Sequence, residues 1–258
     1  MLRIYDEQLR TDAETPSAAS VTRLGPLRLV TFPGGRGIVT YRHLGGADEH
    51  GVRELVVGAL AHYVADPDIT RVEWKTRGHD VAPGLHEALV DNGFVPEERE
   101  TIMMGEAQLL AADVPLPDGV SLRRVTSEPD VRAMSAMADE AFGEPVEPAH
   151  ADALLRRLAL DDGMELWVAE AGGQMVGSGR LEPVAGSEVA GLWGGATLPA
   201  WRGRGIYRAL TAARARSVLR MGRTFLHSDS TNDSRPILER SGLVAVSTTT
   251  PYRWRRAA

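Results

Sequence analysis

Two glycines in the second half of the sequence lie where backbone amide groups could bind an anion. They belong to the segment Arg202-Gly203-Arg204-Gly205-Ile206-Tyr207, which joins a predicted strand to a predicted helix. Glycines let consecutive N–H groups turn inward, and the helix that follows adds the positive end of its dipole. The loop could therefore hold a pyrophosphate. A plain glycine turn is the alternative, because a lone Gly-x-Gly is a weak signal.

The elements that would position this loop follow from periodicity and turn residues. A capping box at Ser127 and Asp130 begins one helix, and residues 149–160 form a second. Strands are predicted over 165–171, 174–182 and 189–198, with a tight turn at Gly172-Gly173. After the loop we expect a helix whose buried face holds Leu210, Ala213, Val218 and Met221, a strand over 224–228, a short helix over 234–240 and an extended stretch over 243–253. This order predicts an α/β fold with a mixed sheet and helices on both faces.

A dinucleotide fold is a competing interpretation of the same loop. Arg208 stands at the position of its third glycine, and only about fifty residues follow. That length is too short for the two mononucleotide-binding halves of such a fold.

The segment GLWGGATLPAWRGRGIYRAL resembles the signature of the GNAT superfamily of acyl-CoA N-acyltransferases, [QR]-x-x-G-x-[GA], which follows a strand that ends in a turn containing proline. Arg202 and Gly205 match this signature, whereas Tyr207 stands where glycine or alanine is usual. The resemblance covers the chain from about Val120 to its end. It implies a central, mostly antiparallel sheet with a splayed parallel pair of strands.

The resemblance also implies roles for individual residues. Backbone groups of Ala196, Thr197 and Leu198 would meet the pantetheine arm of acetyl-CoA and polarise its thioester. The amides of the loop, Gly203 to Tyr207, would hold the pyrophosphate. Asn232 matches an asparagine that meets pantetheine, with Ser234 beside it. Asn232 could instead cap the following helix, a role for which Thr231 and Asp233 compete.

Acetyl transfer needs a base for the acceptor's ammonium group and an acid or water for the departing thiolate. Many family members place a tyrosine acid four residues before the glycine that ends the helix, and here that position is Leu238. Tyr252, Tyr207 or a water could replace it. Glu182, Asp229 and His227 are the nearest candidates for the base. Each could equally be structural, as an edge charge, a turn former and a packed strand residue respectively.

Composition narrows the functional classes. Zero cysteines among 258 residues exclude disulfides, thiolate metal sites and cysteine nucleophiles, and we expect no metal. The formal charge of −6 argues against nonspecific nucleic-acid binding as the main activity. No apolar run is long enough to span a membrane, and the N-terminus does not look like a secretory signal. We expect a cytoplasmic protein. The sequence permits a homodimer without specifying one.

The first half of the chain ends like a weaker copy of the second. A strand over 69–74, a helix ended by Gly93 and an extended segment align with the end of the second half, so that Gly93 matches Gly242. Two unrelated units of this common type are the alternative. We expect a degenerate GNAT-like domain without a cofactor loop at 1–110, a linker at 111–119 and an acetyl-CoA-binding domain at 120–258. The glycine-rich residues 33–37 look like a phosphate loop, but their flanking strands predict a hairpin.

The expected function is transfer of an acetyl group from acetyl-CoA to a primary amine of a small molecule, by direct attack in a ternary complex. The first alternative is an acyl-CoA-binding sensor or pseudoenzyme, which the missing tyrosine and the lack of a carboxylate on the strand before the loop would explain. The second is a protein N-terminal acetyltransferase, which would need a cleft open to a peptide.

Overall fold

The computed structural model describes residues 1–257, which form two compact units. One unit joins Met1–Ile102 to Asp229–Asn232 and to the C-terminal residues from Ala245. The other joins Met103–Ser228 to Asp233–Val244. The expected linker, residues 111–119, lies inside this second unit. The units therefore divide the chain differently from the expected domains at 1–110 and 120–258.

The first unit contains a six-stranded sheet. Its strands are β1 (Ser20–Leu24), β2 (Leu27–Phe32), β3 (Arg36–Thr40), β4 (Arg71–Lys75), β5 (Val95–Pro96) and, from the end of the chain, β13 (Pro251–Arg255). They follow the order β1-β2-β3-β4-β13-β5. Helices α1 (Leu2–Ile4), α2 (Glu49–Val64) and α3 (Leu85–Asp91) accompany them. Residues 33–37, which look like a phosphate loop in the sequence, form the turn of the β2–β3 hairpin, as predicted, with Phe32 opposite Arg36.

The second sheet has seven strands. The chain supplies β6 (Glu100–Glu106), β7 (Val120–Val125), β8 (Glu165–Ala171), β9 (Gln174–Pro183), β10 (Val189–Thr197), β11 (Phe225–Ser230) and β12 (Val244–Thr249). Their order is β12-β6-β11-β10-β9-β8-β7. The helices of this half are α4 (Ala107–Leu110), α5 (Glu128–Phe142), α6 (Pro148–Leu158), α7 (Ile206–Arg220) and α8 (Arg235–Arg240). The predicted mixed sheet and element order are confirmed.

Two details of the predicted elements differ from the structure. The extended stretch expected over 243–253 breaks at Thr250 into β12 and β13, which belong to different sheets. Met221, expected on the buried face of α7, is exposed because the helix ends one residue earlier. The other three residues predicted for that face, Leu210, Ala213 and Val218, are buried.

The two sheets repeat one pattern of connections. Strands β2 and β3 are antiparallel, and α2 then leads to β4, which is parallel to β3. Strands β9 and β10 are likewise antiparallel, and α7 leads to β11, which is parallel to β10. The starts of α2 and α7 differ. Asp48 caps α2 by accepting a hydrogen bond from the Gly51 amide at 2.9 Å. A carboxylate thus occupies the end of α2 that would otherwise attract an anion.

Within residues 1–257, no helix is long and apolar enough to cross a membrane. In the same residues, no three histidine, aspartate or glutamate side chains come together in a group that could hold a metal ion.

Candidate active site

Strand β10 separates from its parallel neighbour within three residues. It pairs with β11 from Val189 to Gly191 only, although β10 continues to Thr197. A register shift against β9 between Trp193 and Ala196 marks a bulge in the separated part. This is the predicted splayed pair. It leaves one edge of β10 without a strand partner on the side of β11.

The turn after β10 is held by the Arg202 side chain. Its Nε donates to the Thr197 carbonyl at 3.1 Å, and its Nη2 donates to the Ala141 carbonyl near the end of α5 at 2.7 Å. A cation at the carboxyl end of a helix also complements the helix dipole. The Arg202 amide donates to the Pro199 carbonyl at 3.3 Å. Arg202 therefore contributes the shape of the loop, and the amides open to a ligand begin at Gly203.

The start of α7 has the geometry expected of an anion nest. Gly203 and Gly205 have φ angles of +74° and +84°, which other residues rarely adopt. Gly205 is the N-cap residue, and no side chain caps the helix. The first amides of any helix lack an acceptor inside it, so those of Ile206 and Tyr207 can serve a ligand. A Cβ atom at Gly203 would meet open space.

These residues fit the phosphate and pantetheine groups of a CoA ester. The uncapped helix end supplies donors, and the exposed side chains of Arg204 and Arg208 add positive charge. The Thr197 hydroxyl at the end of β10 is buried and has no hydrogen-bond partner among residues 1–257. A buried hydroxyl without a partner is costly, which favours a ligand group there. The Leu198 amide, by contrast, already donates to the Val176 carbonyl at 3.0 Å.

Tyr207 lies against the bulge of β10. Its ring occupies the space that a side chain at Gly195 would need. Burial raises the pKa of Tyr207, while the positive charge of Arg214 and hydrogen bonds with Thr211 and Ser234 oppose that shift. The tyrosine at this unusual position therefore packs between α7, β10 and the start of α8.

The two residues predicted to flank pantetheine lie in different units. Ser234 is the N-cap residue of α8, so Asn232 does not take that position. The Asn232 side chain donates to Glu98 Oε1 at 2.9 Å within the first unit. Its proposed contact with pantetheine stays a prediction.

The candidates for acid and base have distinct surroundings. Glu182 and His227 both lie in register with Gly191, one on each side. Glu182 is ion-paired with Arg180 at 2.5 Å and lies 3.8 Å from Arg157. The His227 ring meets the Trp193 ring edge to face, with their centroids 5.1 Å apart. The structure thus brings Glu182 and His227 to one face of the sheet.

Asp229 and Tyr252 belong to the first unit. Asp229 pairs with Lys75 at 2.8 Å, and only 4% of its side chain is exposed. Tyr252 pairs with Trp74 across β13 and β4, and its hydroxyl lies 2.8 Å from His86 Nδ1. Burial raises the pKa of Tyr252. Leu238 is fully buried in an apolar cluster of the second unit.

Sequence reasoning missed four residues around β9 and β10: Arg157, Arg180, Trp193 and Arg214. Arg214 is fully buried, and its Nη1 donates to the carbonyls of Arg180 and Trp193 at 3.1 and 3.4 Å. Its sequence signal was available, because an arginine four residues after Leu210 continues the buried face of α7. No comparable signal identified the other three.

Comparisons with known structures agree with this geometry. A GCN5-related N-acetyltransferase from Kribbella flavida superimposes with a TM-score of 0.70 over 100% of this chain and 96% of its own, at 19% identity. One from Sphaerobacter thermophilus gives 0.62 over 90% and 77%, at 18% identity. A tandem GNAT protein from the clavulanic acid biosynthesis pathway, without AcCoA, gives 0.61 over 90% and 79%, at 16% identity. The fold is therefore that of the GNAT N-acetyltransferases.

Residues 131–242 match the model of the Acetyltransferase (GNAT) family. This stretch is therefore similar in sequence to GNAT acetyltransferases, and the match supports acyl transfer as the class of reaction. A search of curated proteins finds no match.

Proposed function

We propose that the second unit transfers an acetyl group from acetyl-CoA to the primary amine of a small molecule. The observation that carries this proposal is the uncapped start of α7, with its two left-handed glycines, directly after a strand separated from its neighbour. Bound acetyl-CoA would supply the thioester that the amine attacks in a ternary complex.

The backbone of this chain would do most of the binding. The amides from Gly203 to Tyr207 would hold the pyrophosphate, and the open edge of β10 would pair with the pantetheine arm. Because the Leu198 amide is already engaged, the backbone near Ala196, at the bulge, is the better candidate to polarise the thioester carbonyl.

Glu182 is the carboxylate of the second unit best placed to take a proton from the acceptor. It lies in register with Gly191, the last residue of β10 that pairs with β11, on the face that also carries Trp193 and His227. Its ion pair with Arg180 holds it in place but must loosen for proton transfer. A Glu182→Gln variant should lower kcat by about 10²-fold with acetyl-CoA binding unchanged.

A CoA-binding protein without catalytic activity is the second candidate. The burial of Leu238, at the position where a tyrosine acid is common, favours it. The ion pair of Glu182 favours it as well. Both candidates bind acetyl-CoA, so only turnover separates them.

Two variants at Gly203 test the cofactor site. An aspartate or asparagine there meets open space and tolerates a left-handed φ better than most residues, so both should fold. Gly203→Asp places a negative charge in the nest and should weaken acetyl-CoA binding at least about tenfold in calorimetry. Gly203→Asn is the uncharged control and should bind far better. Equal affinity of both variants and the wild type would exclude this loop as the cofactor site.

Release of free thiol across a panel of small amines and peptides then tests catalysis. Turnover of small amines supports the proposal. Turnover of peptide N-termini alone would instead indicate a protein N-terminal acetyltransferase. Acetyl-CoA binding without turnover on any acceptor would indicate the non-catalytic candidate.

A further inference from the structure

Four side chains of neighbouring strands share the face of the second sheet that lies away from α7. Arg180 and Glu182 of β9 are in register with Trp193 and Gly191 of β10, and Gly191 is in register with His227 of β11. The Trp193 ring lies over Gly191, where a Cβ atom would clash with it. The neighbouring residue Gly179 belongs to the opposite face, since a Cβ atom there would meet the Arg214 side chain of α7.

Arg157 of α6 reaches this group from the side. Its side chain is only 7% exposed, and it lies 2.7 Å from Asp162 and 3.8 Å from Glu182. All three guanidinium nitrogens are buried, yet none makes a hydrogen bond of good geometry within residues 1–257. An arginine offers five N–H donors, and leaving them unpaired in the interior is costly. The ion pair with Asp162 explains how Arg157 anchors the end of α6, but it does not supply the hydrogen bonds that the buried guanidinium lacks.

Arg180 is the more accessible of the two arginines. Its side chain is 30% exposed, and its Nε lies 2.5 Å from Glu182. Its ion pair is with Glu182, and its terminal nitrogens make no side-chain hydrogen bond among residues 1–257. A guanidinium with its terminal nitrogens open presents the forked geometry that binds a carboxylate through two hydrogen bonds.

Charge narrows the class of ligand. The group contains two guanidinium cations, Arg157 and Arg180, and two carboxylates, Asp162 and Glu182, so its formal charge is balanced. A ligand with one positive and one negative group can bind such a site without adding net buried charge. Its ammonium group would lie beside Glu182 and its anionic group beside Arg180.

Building on the proposed acetyl transfer, we propose that the acceptor is an amino acid, whose carboxylate binds Arg180 and Arg157. The half-buried Trp193 ring packs against its carbon frame, and Glu182 lies beside its amine. The arginines select the substrate and do not take part in the chemical step.

Paired substrates test this inference directly. Thiol release is measured with single amino acids and with the matching amino-acid amides, which keep the amine and lose the charge. The amino acid should show a kcat/KM at least about tenfold higher than its amide, because a hydrogen bond to a charged group is worth that much. Equal values, or a preference for the amide, would overturn the inference while leaving acetyl transfer intact. A preference for aminoalkyl phosphates over amino acids would overturn it as well.

Variants assign the selectivity to the arginines. Arg180→Gln should raise KM for the amino acid about tenfold or more and leave the KM for the amide nearly unchanged. Any change in kcat caused by the loss of the ion pair with Glu182 should be the same for both substrates. Arg180→Lys should recover only part of the loss, because an ammonium lacks the fork. Arg124→Gln is the matched control, since Arg124 is 60% exposed and pairs with Glu165 on the same sheet. Equal effects of Arg180→Gln on both substrates would contradict selection by this residue.

A binding measurement separates the two proposals if turnover is absent. Calorimetry of an amino acid and its amide, each with the protein and CoA, should still show the preference and its loss in Arg180→Gln. Turnover of none of the amines together with this preference would refute catalysis and keep the amino-acid site. Turnover of amines without the preference would support catalysis and refute the amino-acid site.

Discussion

The ring of Tyr207 lies against the α-carbon of Gly195, so that a Cβ atom at Gly195 would stand 2.7 Å from Tyr207 Cε2. Helix α7 therefore carries a large side chain where the family signature has glycine or alanine, and β10 provides the space by having a glycine opposite. The large Tyr207 in the loop and the small Gly195 in the strand therefore compensate for each other.

Replacement of Gly195 by alanine should destabilise the protein through this contact. We expect a loss of about 1–3 kcal/mol in the free energy of unfolding, as for other overpacked interiors. The same change in a Tyr207→Ala background should cost clearly less, because the clashing ring is gone. Urea denaturation of the two single variants and the double variant measures the coupling. Additive effects would show that the contact is not limiting.

Arg214 should be needed for the bulge of β10. Its guanidinium links α7 to the carbonyls of Arg180 and Trp193, beside the point where the register shifts. Arg214→Met leaves buried carbonyls without donors and should lower stability by about 1–3 kcal/mol. Hydrogen exchange in peptides covering residues 190–200 should also accelerate. An unchanged exchange rate in these peptides would show that the bulge does not depend on Arg214.

The ion pair of Lys75 and Asp229 should make Asp229 important for stability. Burial alone would lower the pKa of Lys75, but Asp229, together with Tyr5 and Glu14, raises that pKa above its ordinary value. Asp229→Asn removes the charged partner in this ion pair from the buried ammonium and should cost about 3–5 kcal/mol by chemical denaturation.

The double variant Lys75→Met with Asp229→Leu should recover much of that loss, since it removes both charges. If the Asp229→Asn protein were as stable as the wild type but had a kcat lowered about 10²-fold, Asp229 would act as the base instead.

Arg123 should govern part of the acid sensitivity of the second unit. Hydrogen bonds from Arg123 and then Ser127 lower the pKa of Asp130 to about 2, and a hydrogen bond from Arg123 also lowers that of Glu170. A carboxylate with a lowered pKa stabilises the fold above its ordinary pKa, and that contribution disappears as the pH falls through the lowered value. Arg123→Gln should therefore lower Tm at pH 6.

The difference in Tm between the wild type and Arg123→Gln should shrink as the pH falls from about 4 to about 2. Thermal melts at half-unit steps measure it, with Arg132→Gln as a surface control. A difference that stays constant down to pH 2 would show that these carboxylates titrate alike in both proteins.

Much of the second half could be predicted because its signals are local. Glycines at 203 and 205 are needed wherever φ is positive, so the loop and the start of α7 followed from residue types alone. The hairpin at Gly172-Gly173 and the helix cap at Ser127 depend on neighbouring residues in the same way. The splayed pair came with the family resemblance.

The sequence by itself thus determined the order of elements, the fold class and the residues of the anion nest, since these depend on backbone preferences over a few neighbouring residues. Only the tertiary structure decided which strands pair and which distant side chains come into contact. Alternating side chains show that residues 243–253 are extended, but they do not show that β13 pairs with β4. Likewise, only the sheet register brings Arg180 and Glu182 of β9 beside Arg157 of α6, because contacts between residues distant in the chain leave no local periodicity.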